Sequence, residues 1–104
     1  MKRFYLTRLA MLDLEDIRNY LDPVPERCAQ PIRRGLRLLL QEIAAFPERG
    51  AVHSESTRLL GHEVRSRLHT PYRVFHREHR GPPEVLAILH MARDVSTILA
   101  ERLQ

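Results

Sequence analysis

The chain has little of what several common functions require. It carries one cysteine, Cys28, in 104 residues. No intrachain disulfide is therefore available, which fits a reducing compartment and makes a cytoplasmic location the expectation. No apolar run approaches the roughly 20 residues of a membrane span; the longest, Val85 to Leu89, is flanked by Glu84 and His90. The opening Met1-Lys2-Arg3-Phe4-Tyr5-Leu6-Thr7-Arg8 starts basic but lacks the apolar core of about 7–15 residues that a secretory signal needs. There is no glycine-rich phosphate loop, no nucleophile elbow, no cysteine cluster and no recognisable carboxylate dyad, since Glu63 and Glu78 do not form one. Repeats, low-complexity segments and linkers are also missing, so one domain over residues 1–104 is expected.

What is present is positive charge of one kind. Lys2 is the single lysine, and every other basic side chain that is not histidine is arginine. Between Arg58 and Arg80 six arginines (Arg58, Arg65, Arg67, Arg73, Arg77, Arg80) face only Glu63 and Glu78, so this segment holds the whole net charge of +4. His62, His69, His76 and His79 lie in it too. Such a patch suits an anionic partner, nucleic acid or an acidic protein surface; the alternative is a solvated strand face.

Apolar spacing predicts the elements. Phe4–Leu6 is a short strand, and Thr7 is a suitable helix N-cap. Ala10, Leu14, Ile17 and Leu21 form one helical stripe, with Asp13, Glu15, Asp16, Arg18 and Asn19 assigned to the remaining surface. Asp22-Pro23 ends that helix. A second stripe, Ala29, Ile32, Leu36, Leu39, Ile43 and Phe46, starts near Pro25, contains Pro31 and closes at Pro47 and Gly50. The short connection implies an antiparallel helical hairpin. Ala51–Thr57 reads as a loop. Val64 and Leu68 alternate with Arg65 and Arg67, Tyr72–Arg77 is β-prone, Arg80-Gly81-Pro82-Pro83 reads as a turn, and Glu84–His90 reads as a strand buried on both faces. Asp94 is placed to cap a last helix with Val95, Ile98, Leu99 and Leu103 inward. The order β-α-α-β-β-β-α implies an α+β domain, the hairpin packed on one face of a mostly antiparallel sheet.

Several strings, in this order and spacing, resemble the ParE/RelE toxin superfamily. They are Tyr5-Leu6-Thr7 with Ala10 and Asp13-Leu14-Glu15-Asp16-Ile17, then Phe46-Pro47-Glu48-Arg49-Gly50, then Arg65 followed by Tyr72-Arg73-Val74-Phe75, and finally Ile88-Leu89-His90-Met91-Ala92-Arg93-Asp94. The His-x-x-Arg-Asp ending is more typical of ParE. The resemblance implies the toxin of a type II toxin–antitoxin, or plasmid stabilisation, pair, neutralised by a ParD-like or similar antitoxin. ParE-like members act on DNA gyrase by binding. RelE-like members cleave mRNA in the ribosome, and a degenerate member would keep only antitoxin binding.

Chemistry favours the first reading. Metal-free RNA cleavage needs a base, a cluster of cations around the phosphate and an acid. By resemblance Arg73 and Arg93 match phosphate-binding arginines, and Arg65 and Arg67 share the spacing of the RelE lysine pair. Arginine is a poor proton shuttle at neutral pH, and the RelE tyrosine position falls near the apolar Ile98-Leu99. His90 or His76 would have to supply the proton chemistry. The candidate contacts to gyrase or another anion are Arg65, Arg67, Arg73, Arg77 and Arg93; those of an RNase are Arg65, Arg73, Arg93 and His90. His76 and His79 alternate poorly for chelation in a strand, so no metal and no cofactor is expected. Arg93 and Asp94 each have a structural reading, carboxylate pairing and helix capping. Tyr72 reads as a packing aromatic, and His76 as a half-exposed ring on the sheet.

Overall fold

The computed structural model describes residues 3–102. Its elements are β1 (Tyr5–Leu6), α1 (Arg8–Leu21), α2 (Glu26–Ala45), β2 (Ala51–Val52), α3 (Ser54–Leu60), β3 (Val64–His69), β4 (Tyr72–His79), β5 (Gly81–His90) and α4 (Val95–Arg102). The fold is the α+β arrangement expected, with the strands in the order β1-β5-β4-β3-β2. β1 runs parallel to β5, and every other pairing is antiparallel. No helix among the described residues is long and apolar enough to cross a membrane.

α1 starts where Thr7 Oγ1 accepts the Ala10 N–H at 3.1 Å, satisfying one of the helix's free donors. α2 runs unbroken through Pro31. The hairpin covers one sheet face: Ala10, Ile17, Leu21, Leu36, Leu39 and Ile43 pack on Tyr72, Val74, Val85 and Ile88. The opposite face is closed by α3 and α4, where Val64, Phe75, Leu86, Ala87, Leu89 and Leu99 form a second cluster. β5 feeds both clusters because its side chains alternate between the two faces, interrupted by one bulge. Phe75 pairs with Ala87 but His76 pairs with Val85. Leu86 is the extra residue, so Leu86 and Ala87 enter the same cluster in succession.

Four sequence expectations change. Ala51–Thr57 is not simply loop: Ala51–Val52 adds a short edge strand to β3, and Ser54 opens α3. The N-cap of α3 is His53, whose Nδ1 accepts the Ser56 N–H at 3.3 Å; histidine is not among the usual capping residues. The turn around Arg80 is tighter than expected, because Gly81, at φ 93°, begins β5. Pro82 and Pro83 lie inside that strand, before β1 begins to pair on one edge and where the register with β4 is irregular on the other, so neither ladder needs their missing N–H groups. Phe46 leaves the core stripe and is 41% exposed, with the Arg49 guanidinium 3.8 Å over its ring. Asp13, assigned to the surface, is buried. On the last helix Val95, Ile98 and Leu99 face inward as expected; Leu103 lies outside the described residues.

Candidate functional site

The strand register decides where the arginines go. Residues directly opposite in an antiparallel pair share a face. Arg65 lies opposite His76 and Arg67 opposite Val74, which puts both on the face covered by the helical hairpin. Arg73 lies opposite Leu68 and Leu89, and Arg77 opposite Val64, which puts them on the other face. Arg93 stands in the turn after β5. The five candidate cations are therefore divided among two sheet faces and a loop, with Arg65, His76 and Arg77 lining one small cavity together with Glu63 and Glu78.

Most of these cations are already engaged. Arg65 donates to the Gly50 carbonyl at 2.9 Å and pairs with Glu63. Arg67 pairs with Glu42 of α2 at 2.6 Å, and its Nη1 is buried without a partner among the described residues. Arg77 donates from Nε to Glu84 Oε1 at 2.8 Å, with its Nη2 2.7 Å from the same oxygen. Arg73 is half-buried and Arg93 exposed, and neither has an ion pair among the described residues.

His76 departs from its expected place. It is 1% exposed, not half-exposed, and its Nε2 has no partner among the described residues. Burial first, then the Arg67 and Arg65 charges, push its imidazole down to about 4. His79, by contrast, is exposed and lies edge-on to Tyr5 at 5.5 Å. Among the described residues no group of three His, Cys, Asp or Glu side chains is positioned for a metal ion.

The structure does bring His90 and Arg93 together. They line a cleft of about 420 Å³ with Asp13, Asp16, Ile17 and Tyr20 of α1 and with Tyr72 and Ile88 of the sheet. Tyr72 pairs with His90 in the register, and their rings meet edge to face at 5.5 Å. Burial, and then the neighbouring Tyr20, push the Tyr72 phenol up from its ordinary value. His90 Nδ1 accepts the Ala92 N–H at 3.0 Å, so the neutral ring carries its proton on Nε2. Asp94 caps α4 as its structural reading required: Oδ1 accepts the Thr97 N–H at 3.2 Å and Oδ2 the Thr97 hydroxyl at 2.7 Å. Those bonds hold its carboxyl below the usual value.

Between α1 and α2 lies a second depression of about 340 Å³. Its apolar lining is Phe4, Leu14, Ile17, Leu21, Leu36 and Leu40, and Arg18, Arg33 and Arg37 line it too.

Sequence reasoning missed Asp13. It is 7% exposed and accepts the Ile88 N–H at 2.9 Å. It also accepts two bonds from Arg102, at 2.6 and 2.7 Å. β1 stops pairing at Val85, which leaves the Ile88 donor free on the β5 edge. Asp13 fills that gap and ties α1 to α4. The signal was its spacing, three residues after Ala10 and four before Ile17, which puts it on the buried stripe.

The sequence profile described as ParE toxin of type II toxin-antitoxin system, parDE, matches residues 4–95. No curated protein matches the chain.

Proposed function

Because the chain belongs to the ParE toxin family of type II toxin–antitoxin systems, we propose that it inhibits DNA gyrase by binding it, without bond-breaking chemistry of its own. The observation that carries this reading is the dispersal of the arginines. Phosphodiester cleavage needs cations converging on one phosphate. Here Arg67 and Arg73 take opposite faces of the sheet, Arg65 and Arg77 share only a small cavity with Glu63 and Glu78, and Arg65, Arg67 and Arg77 are held by Glu63, Glu42 and Glu84. The region where RelE-like proteins carry their tyrosine holds Leu99, which is buried in the second cluster. Of the five candidate cations, Arg73 and Arg93 are the two without an ion pair among the described residues.

A cognate ParD-like antitoxin neutralises the toxin by covering the groove between α1 and α2. The apolar lining with Arg18 and Arg37 suits an amphipathic acidic segment; Arg33 is already paired with Glu26 and Asp22. Gyrase as target places the protein in the cytoplasm.

Supercoiling by purified gyrase, with and without the toxin, tests the proposal. Inhibition relieved by the antitoxin is expected. Normal supercoiling at saturating toxin refutes it, and mRNA cut on translating ribosomes, with loss of cutting on Arg73→Ala, would establish the endoribonuclease reading instead. Growth unaffected by toxin expressed alone would mark a degenerate toxin.

A further inference from the structure

The cleft between α1 and the end of β4–β5 has a more specific character than a surface cation requires. One turn of α1 separates Asp16 from Tyr20, which puts both on one wall. Tyr72 and His90 of the sheet and Arg93 of the turn after β5 complete the lining. Four groups of this lining carry hydrogen-bond donors: the Arg93 guanidinium, the His90 Nε2–H and the two phenols. The raised Tyr72 keeps its phenol proton at ordinary pH. Tyr20 is 68% exposed and lines the same cleft as Arg93, a guanidinium that has no ion pair among the described residues.

An exposed aromatic ring and an arginine without an ion pair in one cleft suit a planar base joined to a phosphate. Asp16 narrows the choice. Its carboxylate repels a second phosphate and accepts N–H groups from a base edge, which guanine offers and the Watson–Crick N1 of adenine does not. The volume falls within the roughly 300–1,000 Å³ of small-molecule sites. We propose that this cleft binds a single guanine nucleotide, its base against Tyr20 and Asp16 and its phosphate on Arg93 and the His90 Nε2–H. The proposal goes beyond gyrase inhibition and does not rest on it, since the site is complete in the toxin alone.

Titration of the full chain with 5′-GMP, followed by NMR at constant ionic strength, tests it. Inorganic phosphate, guanosine, AMP and acetate are run as separate arms. GMP is expected to shift the His90 ring and Ala92 amide signals saturably, with phosphate, guanosine and acetate each at least about tenfold weaker. Arg93→Ala should weaken GMP at least about tenfold and Tyr20→Ala at least about fivefold, the latter leaving phosphate unchanged. Asp16→Asn should tighten phosphate and erase the preference for GMP over AMP. These side chains are exposed, so the substitutions leave the fold intact. A 5′-phosphorylated guanine tetranucleotide distinguishes the source: tighter binding than GMP means a strand end, weaker binding a free nucleotide. The proposal is overturned if His90 and Ala92 do not respond to about 10 mM GMP, if acetate or phosphate binds as well as GMP, or if Arg73→Ala removes binding and Arg93→Ala does not.

Discussion

Substituting Asp13 tests how the two faces of the sheet are held together. Asp13→Ala removes the acceptor for the Ile88 N–H and both acceptors for Arg102. Arg102, at 16% side-chain exposure, would keep a charge with little water to solvate it. Removing one member of a buried pair costs about 3–5 kcal/mol, and the lower end applies because Arg102 retains some solvent and a 3.2 Å bond to the Leu86 carbonyl. A loss of about 3 kcal/mol is a large part of the roughly 5–15 kcal/mol that stabilises a domain. In urea, with a slope of about 1.5 kcal/mol/M, the unfolding midpoint should fall by about 2 M. Arg102→Ala alone should cost less, because Asp13 keeps the Ile88 N–H and gains water. The double variant should then be less destabilised than the sum, with a coupling of about 1–3 kcal/mol. Strict additivity, or a midpoint shift under about 0.5 M for Asp13→Ala, would refute the account of Asp13 as a clamp between α1, β5 and α4.

Three other outcomes follow from particular contacts. His76 titrates at about 4 in the folded chain against about 6.5 unfolded. The unfolded chain therefore binds more protons between these values, so stability is full above about pH 6.5 and falls, by up to about 3 kcal/mol, as pH drops to about 4. Urea unfolding of His76→Phe across this range should show a flatter profile than the wild type, and equal slopes would count against the buried neutral ring. At Gly35 a side-chain carbon would overlap the imidazole of His69. Gly35→Ala should destabilise the wild type yet stabilise a His69→Ala background by up to about 1 kcal/mol through helix propensity; stabilisation in both backgrounds would show that the close approach is unimportant. Thr7→Ala should cost about 1 kcal/mol by uncapping α1, read as a lowered urea midpoint, and an unchanged midpoint would show that the cap contributes little.

Local and periodic features were legible in the sequence. The stripes of the two long helices, the caps at Thr7 and Asp94, the β-prone run at Tyr72 and the buried run at Val85–Leu89 each follow from near-neighbour chemistry, and their order settles the α+β class. What sequence spacing could not reach was anything set by pairing across the chain. Six arginines between Arg58 and Arg80 read as one basic patch, but alternation along β3 and β4, combined with their register, sends Arg65 and Arg67 to one face and Arg73 and Arg77 to the other. Asp13 read as a surface carboxylate because its partners, Ile88 and Arg102, lie 75 and 89 residues away. His76 read as half-exposed because its burial comes from tertiary packing and not from its neighbours in β4. The cleft of Tyr20, Tyr72, His90 and Arg93 likewise exists only because α1 lies along the β5 edge. Near-neighbour spacing was enough for the two long helices, the three long strands and the family, but not for the short β2 and α3, whose existence depends on pairing and packing with β3 and α4. The tertiary structure alone decided which charges are paired and which remain free, because neutralisation and burial depend on distances between residues far apart in the chain.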